Sequence, residues 1–111
     1  MSQLKEYKHT VEMVGDTTFT GAVPPGYQIE SVIFVEGGGV ASTLDLGSVS
    51  GGSDIFKNQV IAASGITTVV IQKTLSMLAR SSLFLNDDDA GSAWGVGTSI
   101  TAIILMRRTM I

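Results

Sequence analysis

YQIESVIFVE, residues 27–36, is the stretch whose reading decides the fold. Ile29, Ile33 and Val35 share one parity, and Val32 and Phe34 share the other. Side chains of a strand alternate between two faces, so apolar residues on both parities predict a strand buried on both sides. Its β-branched residues suit a pleated backbone better than a helix. PPG (24–26) leads into it through a turn, and GGGVAS (37–42) ends it, with glycines that permit a tight reversal.

Outward from that strand the pattern stays β. EYKHTVEMV (6–14) places Tyr7, His9, Val11 and Met13 on one parity and Lys8, Thr10 and Glu12 on the other. TFTGAV (18–23), TLDLGSV (43–49), TTVVIQK (67–73), SSLFLN (81–86) and TSITAIILMRR (98–108) each read as a strand. IFKNQVIAA (55–63) fits either a helical turn or a strand, and TLSMLAR (74–80) either a helical turn or a crossing loop. About eight strands with turn signals every 8 to 12 residues predict an all-β, single-domain sandwich, jelly-roll-like or Greek-key. An immunoglobulin-like sandwich is the second choice, without the cysteine pair of antibody domains. Ile33 and Ile103 are expected in one continuous core.

The chain has 111 residues, enough for one domain. It has no cysteine, which excludes disulfides, thiolate nucleophiles and zinc–thiolate sites. Net charge is −3, and the seven Lys and Arg are scattered, which argues against direct nucleic-acid binding. Charged residues make up 15% against about 25% in average domains. So little charge on a small domain implies that apolar surface is covered by other subunits or by a larger assembly. The first residues lack the apolar run of a signal peptide. ITAIILM (100–106) is far short of the roughly 20 residues of a membrane helix. Neither secretion nor membrane insertion is expected.

Little in the chain reads as reactive. NDDDAGSAW (86–94) fails as an EF-hand: from Asn86, Ala90 falls at ligand position 5 and Gly97 at the bidentate position 12. Asp87, Asp88 and Asp89 then read either as a solvated loop or as a calcium site of another design, and turn chemistry favours the loop. His9 is the one histidine; it has no cysteine partner, and no GxSxG elbow exists. Glu30, Glu36, Asp45 and Asp54 lie near strand ends or turns, and nothing marks two of them as a facing acid pair. Trp94 reads as a cap on a sandwich core or, exposed, as a platform for a sugar. No catalytic residue, metal ligand or cofactor is assigned, and the chain is read as a non-enzyme.

The order of these segments carries a resemblance. PPGYQIESVIFVE, then LDLGSVSGGSDIF, then LFLN followed by SAWGVGTSITAIILMRR, spans most of residues 24–108. It resembles a group of small structural proteins encoded in tailed-bacteriophage genomes and prophages. The matching positions are Gly26, Tyr27, Ile29, Leu46, Gly47, Gly51, Gly52, Asp54, Ile55, Leu83, Phe84, Trp94, Ile100 and Ile103. The first 20 or so residues take no part in the match. The resemblance implies a virion location and a capsid decoration (cement) protein, or the base domain of a head or tail fibre. It implies partners among virion proteins, the major capsid protein above all, and self-assembly, with a trimer favoured. It carries over no catalytic residue.

Two functional classes therefore stand. One is a structural virion protein that binds the capsid or its own copies. The other is a small carbohydrate- or ligand-binding sandwich with Trp94 and the acidic loop at its binding edge. Residues 1–20 form a strand segment outside the matched region. Its residues Tyr7, His9, Val11 and Met13 are expected to seek a neighbouring subunit or the capsid floor, and with Trp94 they are the candidate partner-binding residues.

Overall fold

A computed structural model of the chain describes residues 4–12, 17–76, 78–87 and 99–108; for 4–12 and for Asp87 the description is of the backbone. The described residues form eight strands and no helix: β1 (Leu4–Glu12), β2 (Thr17–Val23), β3 (Tyr27–Glu36), β4 (Ser42–Gly47), β5 (Phe56–Ile61), β6 (Ile66–Thr74), β7 (Ser81–Asp87) and β8 (Ser99–Arg108). The ambiguous segment before Ile61 is thus a strand. Leu75, Ser76 and residues 78–80 belong to no strand or helix, and the Ser76 hydroxyl accepts the N–H groups of Leu78 and Ala79.

The strands form two four-stranded sheets in the orders β1-β8-β3-β6 and β2-β7-β4-β5, with every pairing antiparallel. Odd and even strands interleave so that each consecutive step from β1 to β4 crosses the sandwich. This strand order is that of a jelly roll, and it sets aside the immunoglobulin-like alternative.

The core lies between the sheets. β8 alternates strictly, burying Ile100, Ala102, Ile104 and Met106. They meet Val32 and Phe34 of β3 and, from the opposite sheet, Phe19, Leu44, Leu46, Ile61, Leu83 and Leu85. Each of the Val, Leu, Ile, Phe and Met side chains contributes about 1.5–3 kcal/mol by leaving water. Phe34 and Phe56 fix the sheet-to-sheet contact at one point, edge to face with ring centroids 5.9 Å apart.

In β3 the structure corrects the expected parity. Pairing with β8 runs Ile29 opposite Met106 and then Ser31 opposite Leu105, so Glu30 is an extra residue in a β-bulge. The bulge reverses the alternation. Ile29 is buried with Val32 and Phe34, while Ile33 is half-buried and Val35 exposed on the outer face. β3 is therefore not buried on both sides, and Ile33 and Ile103 lie outside the core.

Two turns show why the matched glycines stand where they do. Tyr27 donates its N–H to the Pro24 carbonyl at 3.3 Å across Pro25 and Gly26, and Gly26 has φ +75°. That is a type II turn, whose third position requires φ above zero. Gly47 closes β4 where a Cβ atom would collide with the backbone of Gly52. The loop between them is held by Asp54, which accepts the Ser48 N–H at 2.7 Å and its hydroxyl at 2.6 Å.

Candidate functional site

The residues nominated from sequence fall in three places. Tyr7, His9 and Val11 lie on β1, which pairs with β8 from Leu4 opposite Arg107 to Glu12 opposite Ser99. Their register partners are Ile104, Ala102 and Ile100, all core residues. The sequence reading expected these residues to seek a neighbouring subunit or the capsid floor; the backbone of the segment pairs with β8 of its own chain, on the side away from β3. Asp87 is the last residue of β7, opposite Leu44. Met13, Asp88, Asp89 and Trp94 lie outside the described residues.

Among the described residues the most densely bonded side chain is Glu36, which the sequence marked only as an acid near a strand end. Glu36 ends β3, is only 2% exposed, and accepts four backbone N–H groups. Oε1 takes Val40 at 2.9 Å and Ser64 at 3.0 Å; Oε2 takes Gly38 at 2.7 Å and Ser99 at 3.1 Å. The Ser64 N–H is the largest influence, burial opposes it, and the N–H groups of Ser99, Gly38 and Val40 add to it, which together hold the carboxyl at about 2. One carboxylate thus ties the β3–β4 loop, the β5–β6 turn and the start of β8 to one end of the sandwich. The arrangement satisfies backbone donors; it leaves the carboxylate no proton to donate near neutral pH.

The other described carboxylates are likewise engaged. Buried Asp45 accepts the N–H of Asn58, which has φ +55°. Asp54 is held below the ordinary aspartate range, first by the Ser48 hydroxyl and then, against some burial, by the Ser48 N–H and the Lys73 charge. Lys73 also donates to the Asp54 carbonyl at 2.7 Å. Glu30, the bulge residue, pairs with Arg107 at 2.9 Å. Among the described residues no three acidic or histidine side chains gather where they could hold a metal.

What the described surface does offer is the outer face of the β1-β8-β3-β6 sheet. Register aligns Val70 with Ser31 and Leu105, Thr68 with Ile33 and Ile103, and Ile66 with Val35 and Thr101. Ile66 and Val70 are 70% and 71% exposed. Towards β1 the register positions turn polar, with Lys8 opposite Ile103 and Glu6 opposite Leu105. An apolar band with a charged border has the composition of an interaction surface. Alternation alone could have marked Ile66 and Val70 as sharing a face, but only strand order shows that this face lies at a sheet edge.

No protein-family model and no curated protein matches the chain. Among solved structures, a chain described as the cyanophage Pam1 capsid asymmetric unit is similar in fold, with a TM-score of 0.57. The likeness covers 96% of this chain and 84% of that chain at 10% sequence identity. At that identity what the two share is the fold.

Proposed function

We propose that this chain is a structural, non-catalytic protein of a bacteriophage virion, a decoration (cement) protein held to the head by protein–protein contacts. The observation that carries the reading is the fold likeness to a cyanophage capsid chain, which takes in 96% of this chain and 84% of that one. The apolar band on the outer sheet face supports it, because such a surface gains from being covered. The engaged carboxylates agree with a building block whose polar groups hold loops in place.

The test begins with virions of the phage or prophage whose genome encodes the chain. Mass spectrometry of purified particles should find it at a stoichiometry comparable with the major capsid protein, and immunogold labelling should mark heads. Particles assembled without it should break at lower temperature or under milder osmotic shock. Its absence from purified virions overturns the proposal. Labelling confined to tails or fibres moves it to a fibre base. A monomer that binds glycans only with calcium would favour the carbohydrate-binding reading instead.

A further inference from the structure

The four edge strands of the sandwich are not alike. β1 carries Lys5, Glu6, Lys8 and Glu12 in nine residues. β2 is interrupted by a register shift between Phe19 and Val23, and the Gly21 backbone there bonds to Ser82 and Arg80. β5 is six residues long, carries Lys57 as its second residue, and turns out of regular geometry at Asn58. Charge, bulges and shortness are the devices by which proteins keep edges from pairing with other chains. β6 from Ile66 to Val70 has none of them. It reads ITTVV, without charge or proline, and its irregularity begins only beyond Val70, where the register shifts and Gln72 has φ +56°.

The hydrogen-bond phase shows what this edge presents. Glu36 donates its N–H to the carbonyl of Gly65, directly opposite it, and Gly37 donates to Ser99, directly opposite on β8. Bonded and non-bonded pairs alternate along an antiparallel ladder. Thr67 and Val69 therefore bond to β3, and the N–H and C=O groups of Ile66, Thr68 and Val70 point away from the sheet. No described group bonds to them. The same three residues carry exposed side chains. Even the inward-facing Thr67, Val69 and Ile71 are only half-buried, so no described residue covers this side.

We propose that β6 pairs with β6 of a second copy of this chain about a two-fold axis at Thr68. The edge is self-complementary about that point. Thr68 meets Thr68 of the second copy, and Ile66 meets Val70 in both directions. All three are backbone-bonded pairs, and threonine and β-branched pairs favour strand association. Lys73 lies beyond the paired residues, so the contact places no like charges opposite each other. The two four-stranded sheets become one of eight, and their apolar outer bands become continuous. The proposal rests on the edge alone and does not depend on the virion reading.

Thr68→Lys and Thr68→Glu test it, because a two-fold through Thr68 sets each new charge against itself. With native circular dichroism retained, each variant should raise the dimer dissociation constant by about tenfold or more, and an equimolar mixture should restore the dimer. Sedimentation equilibrium reads all three. A wild-type chain that stays monomeric or forms a trimer, variants that keep the wild-type mass, or a mixture that fails to recover it overturns the proposal. If either variant loses the native spectrum, hydrogen–deuterium exchange on the unmodified chain decides. The amides of Ile66, Thr68 and Val70 should slow as its concentration rises. Exchange independent of concentration, or protection that appears only when another virion protein is added, rules out the second copy.

Discussion

Ile33 and Ile103 stand directly opposite each other where β3 pairs with β8, on the outer face and not in the core. Each is half-buried, although both belong to strongly apolar strands. Ile33→Ala should therefore cost about 1 kcal/mol, roughly half of what full burial gives. Phe34→Ala, one residue on and fully buried, should cost about 3–5 kcal/mol. Urea unfolding of the two variants checks the contrast; equal losses would mean that the bulge at Glu30 does not reverse the strand.

Acid should loosen the end of the sandwich that Glu36 holds. Its carboxyl titrates at about 2 in the folded chain and at about 4.3 in an unfolded one. The unfolded state therefore binds more protons between these values, and stability rises with pH there. The contribution is complete above about pH 4.3 and is lost as pH falls towards 2. Glu36→Gln cannot accept all four N–H groups, so it should be less stable at neutral pH and its acid slope shallower. Denaturant midpoints across that range for both proteins test this; parallel slopes would remove Glu36 as the source.

Gly47→Ala should destabilise the fold by about 1–3 kcal/mol, the usual cost of forcing extra atoms into a packed site, because its Cβ meets the Gly52 backbone. Gly37→Ala is the control. A Cβ there has nothing within 4 Å, and the change should stay within about 0.5 kcal/mol. Thermal unfolding of the pair separates a close approach from a general glycine effect.

Removing residues 1–12 should harm the fold before it harms any assembly. From the sequence alone, Tyr7, His9, Val11 and Met13 were expected to seek a neighbouring subunit or the capsid floor. With β1 paired along β8, its loss strips one neighbour from the strand that carries Ile100, Ala102, Ile104 and Met106. The truncated chain should melt at lower temperature or aggregate through the bared β8 edge. A truncated chain with wild-type melting would return the segment to an external role.

The strands were legible because alternation is written locally. Residues 67–73 announce a strand by their β-branched run and residues 6–14 by their alternation, and the turn at Pro24, Pro25 and Gly26 carries its own chemistry. The bulge at Glu30 was not legible, since one extra residue leaves no mark in a run apolar on both parities. The role of Glu36 was hidden for a different reason. Its donors Gly38, Val40, Ser64 and Ser99 are spread over more than half the chain, and only the closed fold gathers them. The difference between β6 and the other edges likewise depends on strand order, which no single segment contains.

The order β1-β8-β3-β6 also governs when the sheet can exist at all. β8 lies between β1 and β3 yet is the last of the eight described strands to be synthesised. As the chain leaves the ribosome, β3 can meet β6, but β1 waits without a neighbour until β8 follows. The ladders that join the two ends of the domain close only across long stretches of chain, and such non-local pairing folds slowly. Throughout that interval β3 and β1 expose backbone that β8 will later satisfy, so yield at high expression should depend on temperature and chaperone supply more steeply than equilibrium stability suggests.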